Sequence, residues 1–258
     1  MTSNERRKKI YEILQKDGAV STANLFQNFD VSGETLRRDL VAMEEQGKLT
    51  RVHGGAIIRG EIMPYTPLQV RNTERINEKK EIAKKVVEVI DEGDIISLDA
   101  GSTSLYIAEA IRDNFEKLTV VTYSLDVFKI LCKKPGFDMI LCGGNYIPAY
   151  HIFLGDFTKK ILDALHVQKS FVFPSAISLE SGICEYHSDT HTHQSRMLRF
   201  ADEAFVVGDS SKFEKKALYK VDDMRNEYIY ITDSSLPEGL RKIYKANDKK
   251  LIIADKIK

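Results

Sequence analysis

Two adjacent arginines, Arg37 and Arg38, lie in a stretch whose spacing predicts an amphipathic helix. Leu36, Leu40 and Met43 recur at i, i+4 and i+7, so they form one apolar face that packs on a small core. The two guanidinium groups then lie on or beside the opposite face, where their forked N–H groups suit phosphate oxygens and guanine edges. A solvated amphipathic helix without a ligand is the alternative, and the flanking sequence argues against it.

The flanking sequence predicts a helix-turn-helix followed by a hairpin. Two short helices, the second introduced by Ser21, precede a three-residue turn at residues 30–32, and Ser32 is placed to cap the third helix. In this layout the second helix of the pair enters the major groove and reads base edges. Residues 48–59 are typical of a β-hairpin that turns at Gly54-Gly55, which would form a wing.

This stretch resembles the DeoR family of transcriptional regulators, across the whole of the predicted DNA-binding module. The matching positions are Arg6, Ile10, Val31, Ser32, residues 35–40, Gly47, Arg51 and residues 53–56. The resemblance implies a winged helix-turn-helix that binds a double-stranded DNA operator. The residues expected to contact that DNA are Ser32, Glu34, Thr35, Arg37, Arg38, Arg51 and His53.

The net charge of the chain excludes a global electrostatic attraction to DNA. The formal net charge of the 258-residue chain is zero, and residues 1–59 hold ten Lys or Arg against eight Asp or Glu. Binding must therefore come from the local placement of cations. Residues 6–9, together with Lys48, Arg51 and Arg59 of the predicted wing, are candidate phosphate contacts. A solvated charge run is the alternative for residues 6–9.

The cysteines indicate a reducing compartment. Cys132, Cys142 and Cys184 show neither paired spacing nor a CxxC motif, which argues against a disulfide scaffold. The sequence shows no signal-peptide pattern and no apolar run of membrane-spanning length. We therefore expect a cytoplasmic protein without a membrane partner.

After residue 73 the sequence pattern changes to alternating apolar strands and helices. Residues 60–73, interrupted by Pro64 and Pro67, are the expected linker, so we divide the chain into a winged helix-turn-helix at 1–59, this linker, and an α/β domain at 74–258. Alternating apolar strands and helices predict a doubly wound, mostly parallel sheet covered on both faces. The expected strands are 95–98, 119–122, 139–142, 171–173, 204–207, 228–231 and 251–253. The expected helices are 78–90, 103–115, 125–133, 155–165, 190–199 and 238–245.

Ligands of such sheets bind at the carboxyl ends of the strands, which directs attention to the loops there. Residues 99–104 follow a strand and open a helix, so their N–H groups and hydroxyls converge where the helix dipole favours an anion. A purely structural helix cap is equally compatible with this loop alone. Lys212 could add a positive charge to the same mouth. The candidate effector-binding residues are Asp99, Gly101, Ser102, Thr103, Ser104, Thr122, Tyr123, Gly143, Gly144 and Lys212.

The DeoR resemblance extends through this second domain. It implies an effector sensor related to ribose-5-phosphate isomerase and the CoA-transferases, which binds a phosphorylated sugar or a related metabolite. We also expect a repressor rather than an activator of carbohydrate metabolism genes, with no cofactor. We expect a homo-oligomer, because a single recognition helix rarely gives enough affinity and paired modules supply the rest. The matching positions are Lys80, Ile82, Ala83, Asp99, residues 101–103, Val121, Thr122, Ser124, Gly143, Gly144, Gly155, Gly182, residues 209–213 and residues 231–233.

Two departures from the family pattern leave the effector's identity open. Tyr123 stands where the family commonly has asparagine, and residues 173–178 replace a usual Asp-Gly pair with hydroxyl-bearing residues. The second departure also bears on a rival hypothesis, a sugar-phosphate isomerase with a DNA-binding appendage. Isomerisation needs a carboxylate base at the substrate carbon, and only Asp99 remains as a candidate. We therefore expect no catalytic residues and no enzyme.

A second rival is a metal-responsive regulator. Three of the six histidines fall in one segment with acidic residues and a cysteine. If a helix begins near Thr190, His187 lies in the preceding loop, and His191 and His193 point about 200° apart, so they cannot share one ion. We expect a polar or effector-contacting segment and no metal site. The segment comprises Cys184, Glu185, His187, Asp189, His191 and His193.

Overall fold

The computed structural model describes residues 1–62 and 64–257. Met63, within the predicted linker, and Lys258, at the end of the predicted α/β domain, lie outside the described residues. The chain forms an N-terminal helix-turn-helix with a small sheet and a C-terminal domain built on a parallel sheet. The fold class expected from the sequence is confirmed.

The N-terminal module is a three-helix unit with a three-stranded antiparallel sheet in the order β1-β3-β2. Ser21 and Ser32 cap the second and third helices as predicted, because their hydroxyls accept from backbone N–H groups of the first turns. The strand β1 was not predicted. The elements are α1 (Ser3–Asp17), β1 (Ala19–Ser21), α2 (Thr22–Asn28), α3 (Gly33–Glu45), β2 (Leu49–Val52) and β3 (Gly55–Ile58).

The wing hairpin turns one residue earlier than predicted. Val52 pairs with Gly55 across the ladder, so the two-residue turn is His53-Gly54 and Gly55 already belongs to β3. Gly54 adopts φ 80°, a left-handed conformation that favours glycine in such turns. Gly55 is required for another reason: a Cβ there would lie 2.1 Å from the carbonyl oxygen of Val20 on the neighbouring strand.

A buried carboxylate holds α1 against α3. Asp39 accepts from Ser3 at 2.8 Å and from the guanidinium groups of Arg6 and Arg7. Burial raises the pKa of Asp39, but these hydrogen bonds outweigh it and leave the pKa below its ordinary value. Arg6 is itself buried, so the prediction that it contacts phosphate is wrong: it is a structural residue of the helix-turn-helix.

The second domain alternates strands and helices along the chain. Its helices are α5 (Ile76–Val87), α6 (Ser102–Asn114), α7 (Leu125–Leu131), α8 (Asp156–Asp163), α9 (Ser188–Met197) and α10 (Glu238–Ala246), with a 3-10 turn at Ser210–Lys212. Its strands are β5 (Ile95–Leu98), β6 (Leu118–Thr122), β7 (Phe137–Leu141), β8 (Asn145–Ile147), β9 (Ile152–Leu154), β10 (Val167–Val172), β11 (Ala176–Ser178), β12 (Gly182–Glu185), β13 (Ala201–Val207), β14 (Lys215–Lys216), β15 (Tyr219–Asp222), β16 (Ile229–Thr232) and β17 (Lys250–Ile253).

The central sheet has seven strands, all parallel, in the order β17-β16-β13-β10-β5-β6-β7. These seven strands correspond to the seven apolar runs predicted from the sequence. The hairpin β8-β9 and the antiparallel sheet β11-β12-β15 were not predicted. The strand order runs outward in both directions from β5, so the topological switch point lies between β5 and β10.

The two faces of the sheet carry separate apolar layers. Phe171 and Phe205 stack at 4.7 Å within one layer, which also includes Ile82 of α5 and Ile107 of α6. The other layer continues from the sheet onto α10 and then into the N-terminal module. Burial on both faces explains why each strand is a continuous apolar run rather than an alternating one.

The linker prediction assumed that residues 60–73 are irregular, but this segment contains regular elements. These are a short strand, β4 (Glu61–Ile62), that pairs in parallel with β14, and a six-residue helix, α4 (Leu68–Thr73). Pro67 occupies the N-cap of that helix. The proposed division at residues 59 and 73 stays a prediction, but the connecting segment is attached to the second domain.

Helix α10 joins the two parts of the chain. Its Leu240 and Ile243 belong to the same buried cluster as Ala19 of β1 and Ile57 of β3. At the wing turn, the carbonyl of His53 accepts a hydrogen bond from the side-chain amide of Asn247 at 3.1 Å. The tip of the wing is therefore held by the second domain. Among the described helices, none combines the length and the apolar character that crossing a membrane requires.

We expect Asp39→Ala to lower the free energy of unfolding by about 3 kcal/mol, because it leaves the buried guanidinium of Arg6 without its carboxylate partner. Glu34→Ala, an exposed carboxylate on the same helix, is the matched control and should lower the free energy of unfolding much less, because solvent screens its ion pairs. Urea denaturation of both variants measures the difference. Equal losses in the two variants would contradict the structural role of Asp39.

Candidate recognition helix and effector cavity

The arginine pair of α3 faces solvent. The side chains of Arg37 and Arg38 are 67% and 77% exposed, and both donate to Glu34, at 3.2 and 3.1 Å. These hydrogen bonds lower the pKa of Glu34. Thr35, by contrast, belongs to the helix cap, since its hydroxyl lies 2.9 Å from that of Ser32. The structure thus presents two guanidinium forks that one exposed carboxylate holds together.

The wing residues expected at the DNA are partly committed to other contacts. Arg51 binds Glu44 of α3 twice, through its backbone N–H at 2.8 Å and its Nε at 2.6 Å, which ties β2 to α3. The side chain of His53 is exposed while its carbonyl is bound by Asn247. Contact of Arg51 and His53 with DNA stays a prediction.

Three small neighbouring cavities lie around the carboxyl ends of β5 and β10. They are adjacent at the switch point of the sheet and share Arg71 as a lining residue, and we call the three together the effector cavity. Ala100 and Gly101 line it from the loop after β5, and Phe173 and Ser175 from the loop after β10. This is where the sequence predicted a ligand to bind.

Asp99 anchors the floor of the cavity. It is fully buried, and its two carboxylate oxygens accept hydrogen bonds from the N–H of Ala100 at 2.7 Å, the N–H of Phe173 at 2.8 Å, the side-chain amide of Gln194 at 2.9 Å and the hydroxyl of Tyr123. Burial raises the pKa of Asp99 to about 7, although the four hydrogen bonds lower it. Asp99 therefore positions the loops and does not present a free oxygen.

The loop after Asp99 divides between the cavity and the core. Gly101 and Ser102 border the cavity, at the N-terminus of α6. Ser104 is fully buried, and its hydroxyl donates to the carbonyl of Gly101 at 2.7 Å, which is a structural role. Thr103 is also buried.

Four other predicted residues lie away from the lining of the effector cavity within the described chain. Thr122 and Tyr123 are buried, and their hydroxyls are already bonded to Ser124 and Asp99. Gly143 and Gly144 pack against α8: the hydroxyl of Thr158 donates to Gly143, and a Cβ at Gly144 would lie 2.3 Å from that hydroxyl oxygen. Their role as effector contacts stays a prediction.

Lys212 borders two parts of the cavity, and within the described residues no carboxylate lies within 4.0 Å of its amine. Burial lowers the pKa of Lys212, so ionising this side chain without a partner carries a cost. A bound anion would remove that cost. The structure thus places the Lys212 amine at the cavity, and its contact with an effector stays a prediction.

Several lining residues were not predicted as effector contacts, among them Arg71, Tyr150, Glu185, His187 and Thr190. Glu185 and His187 belong to the polar segment considered above for metal binding, and this composition was the signal that could have identified them. Arg71 and Tyr150 carried no such signal, because each lies in an irregular stretch of the sequence. Glu185 accepts from Ser175 and from the N–H of Tyr186, both at 2.6 Å.

The histidine segment is arranged differently from the prediction. Helix α9 begins at Ser188, two residues before the expected start, and His187 occupies its N-cap. His191 lies against the ring of Tyr219, whereas His193 is buried against Tyr123. His187 rather than His191 borders the cavity. Across residues 1–62 and 64–257, no group of three or more His, Cys, Asp or Glu side chains is placed to hold a metal ion.

Comparison with protein families agrees with this architecture. Residues 6–61 match the DeoR-like helix-turn-helix domain, and residues 74–234 match the DeoR C terminal sensor domain. Together with the fold, these matches define a transcriptional regulator in which a DNA-binding helix-turn-helix is joined to a sensor domain. The chain belongs to the DeoR family.

Relatives of known name are similar over almost the whole chain. The L-fucose operon activator of Haemophilus influenzae is 32% identical over 245 residues, covering 95% of this chain and 98% of that protein. The lactose phosphotransferase system repressor of Staphylococcus epidermidis is 32% identical over 247 residues, covering 94% and 97%. Among solved structures, ribose 5-phosphate isomerase A from Methanocaldococcus jannaschii matches 52% of this chain and 53% of its own, with a TM-score of 0.38 and 16% identity.

Glu214 connects α10 to the loop after β13 that carries Lys212, which we call the cavity loop. It lies two residues after Lys212, adopts φ 53°, is buried, and accepts a hydrogen bond from the hydroxyl of Tyr244 at 2.6 Å. Ser178 and the N–H of Leu179 also donate to it. Burial raises the pKa of Glu214 from 4.5 to about 7, although the hydrogen bond from Tyr244 lowers it.

This shift predicts a pH effect on stability. Between pH 4.5 and about 7, Glu214 binds more protons in the folded chain than in the unfolded chain, so its contribution makes the free energy of unfolding fall as pH rises. Glu214→Gln removes this contribution and should flatten the fall by about 3 kcal/mol, the free energy that corresponds to the shift of the pKa. The pKa of Asp99 is also raised, and Asp99 is present in both the wild type and Glu214→Gln. The free energy of unfolding of the variant should therefore still fall somewhat as pH rises.

Urea denaturation at a series of pH values measures this effect. Glu203→Gln, at an exposed position of β13, is the control and should reproduce the wild-type profile. A Glu214→Gln profile parallel to that of the wild type would show that Glu214 does not titrate in this way.

Proposed function

We propose that this DeoR-family regulator binds a DNA operator through α3 and that a phosphorylated sugar or related metabolite, bound in the effector cavity, controls that binding. The observation that carries the proposal is the cavity at the switch point of the sheet, where the N-terminus of α6 and the unpartnered amine of Lys212 both favour an anion. The sequence-based assignment of Asp99, Gly101 and Ser102 to this loop supports it.

Carbohydrate genes are the proposed targets. The names of two similar proteins refer to an L-fucose operon and a lactose phosphotransferase system. One of these proteins is named an activator and the other a repressor, and we propose repression for this chain, in keeping with the sequence-based expectation. A reporter gene under the control of the bound promoter distinguishes the two signs of regulation.

We infer that the cavity senses its ligand and does not transform it. A general base needs a free carboxylate oxygen at the reacting carbon. Both oxygens of Asp99 accept hydrogen bonds from the protein, and Glu185 accepts from Ser175, Tyr186 and Gln194. Incubation with pentose and hexose phosphates should therefore yield no isomerised product, and measurable turnover would overturn this inference in favour of an isomerase.

The proposal includes two or more copies of the chain at one operator. A single recognition helix supplies limited affinity, whereas paired modules matched to two half-sites multiply it. Effector binding would then change how the modules are presented to the DNA. The proposal retains the cytoplasmic location expected from the sequence, because the protein acts on DNA.

Removal of one guanidinium from α3 tests the DNA interface. We expect Arg37→Ala or Arg38→Ala to weaken operator binding by at least ~1 kcal/mol, the lower end for a bidentate contact with a base. A gel-shift titration measures it, with a DNA fragment selected from a random pool by the wild-type protein. Arg112→Ala, an exposed arginine of α6, is the control. Wild-type affinity in both α3 variants would exclude this helix as the reading element.

Lys212 tests the sensor. A panel of sugar phosphates should contain a compound that raises the melting temperature of the wild-type protein, because a ligand that binds only the folded state stabilises it. Lys212→Ala should lose both this shift and the response of DNA binding to the compound, while effector-free DNA binding persists. Lys133→Ala, at an exposed position, is the control. Loss of DNA binding without effector would instead assign Lys212 a structural role.

A further inference from the structure

Arg71 borders all three parts of the effector cavity, although it belongs to the connecting segment and not to the sheet domain. It lies on α4, between the wing and the first helix of the sensor. Lys212 lines two of the same three parts, from the loop after β13. A linker residue and a sensor residue therefore face a common space.

Neither Arg71 nor Lys212 forms an ion pair within the described residues. Within the described residues, no carboxylate lies within 4.0 Å of Arg71 or Lys212, and the Nε of Arg71 is buried without a hydrogen-bond acceptor. The charge of Arg71 adds to burial in lowering the pKa of Lys212, whereas Asp209 raises it. Burial, Lys212 and Arg71 likewise lower the pKa of Lys79, which lines the same part of the cavity. Glu185 and Glu74 also raise the pKa of Lys212, so carboxylates lie near these cations, but within the described residues they form no ion pair with Arg71 or Lys212.

Polar contacts hold α4 in place. None of its residues is buried. Its C-terminal end is bound by the amine of Lys79, which donates to the carbonyls of Arg71 and Glu74, and by the hydroxyl of Tyr106, which donates to the carbonyl of Asn72 at 3.3 Å. Because none of its residues is fully buried, a new ionic contact can change the position of α4 relative to the cavity.

We propose that Arg71 and Lys212 together hold the dianionic phosphoryl group of the effector, so that the ligand draws the linker helix onto the sensor and its presence reaches the DNA-binding module through the linker. The forked guanidinium of Arg71 matches phosphate oxygens in pairs, and Lys212 supplies a point charge. Glu185, His187 and Tyr150, at the other end of the cavity, suit the hydroxyl groups of the same molecule. The proposal rests on the proposed function, because it assigns groups of the same cavity.

Few residues separate α4 from the DNA-binding module along the chain. From α4 the chain runs back through residues 64–66 to β4, which pairs with β14 immediately after the Lys212 loop. β4 in turn follows the wing strand β3. Arg71 and β14 thus connect the cavity to the linker at two points, so a displacement of α4 acts on the segment that leads into the wing.

Inorganic phosphate is the probe for this assignment, with binding measured by calorimetric titration. Hydrogen exchange of the peptide covering residues 64–73, followed by mass spectrometry, reports on α4. The variants are Arg71→Gln, which removes the charge, and Arg71→Lys, which keeps the charge but not the fork. Arg112→Gln, an exposed arginine of α6, is the matched control.

In the wild type and in Arg112→Gln, phosphate should bind and slow the exchange of α4. Arg71→Gln should bind phosphate about tenfold more weakly, the change expected for one charge-assisted hydrogen bond, and should lose the protection of α4. Arg71→Lys should recover part of the affinity, which shows that the variants fold and that charge matters.

The outcomes separate this inference from the proposed function. If Arg71→Gln binds phosphate as the wild type does while Lys212→Ala does not, the sensor holds the ligand alone and the role of Arg71 is refuted. The same conclusion follows if phosphate leaves the exchange of α4 unchanged in the wild type. If neither phosphate nor any sugar phosphate binds the wild-type protein, the proposed function itself fails.

Discussion

The buried carboxylate of Asp99 is the interaction on which the geometry of the sensor depends. A carboxylate without water is costly unless hydrogen bonds replace its hydration. Here the donors come from four different places: the loop after β5, the loop after β10, the strand end of β6 through Tyr123, and α9 through Gln194. One side chain thus joins the elements on both sides of the switch point, and the effector cavity opens directly above it.

Tyr123 shows how a departure from the family pattern can be accommodated. Its phenol is fully buried, its hydroxyl donates to Asp99, and the ring of His193 lies against it at 5.2 Å. Tyrosine supplies at this position a donor and a large apolar surface in one side chain. Tyr123 therefore packs in the core, and its hydroxyl is one of the donors that hold the Asp99 carboxylate.

A second constraint is the packing of the N-terminal module on α10. Phe213 and Glu214, directly after Lys212, contact Tyr244, and on the same helix Ile243 packs against the wing strand. The cavity loop, α10 and the wing form one continuous set of packed residues. Coupling between two sites needs such a contiguous element whose position both sites influence. The linker helix α4 provides a second connection between the same parts, with polar contacts in place of an apolar core.

The sequence by itself determined the elements and their class. Helical spacing with serine caps located α2 and α3, and continuous apolar runs located all seven strands of the parallel sheet, because these are local patterns of period and burial. The parallel arrangement then directed attention to the loops at the strand ends, and Asp99, Gly101, Ser102 and Lys212 were all found at the cavity or its floor. The fold class and the position of the candidate cavity were predictable from these signals.

The tertiary structure decided which polar side chains are bonded within the protein and which are exposed. Arg6 and Arg37 are indistinguishable as sequence letters on amphipathic helices, yet Arg6 is buried against Asp39 and Arg37 is exposed, because Asp39 lies on a different helix, thirty-three residues along the chain from Arg6. Arg71 and Glu185 reach the cavity from a linker helix and an antiparallel strand that no local pattern indicated. Tyr123 is a candidate ligand contact in the sequence and a buried donor in the fold. Partners distant in the chain decide which of these polar groups are already bonded within the protein, and only folding brings those partners together.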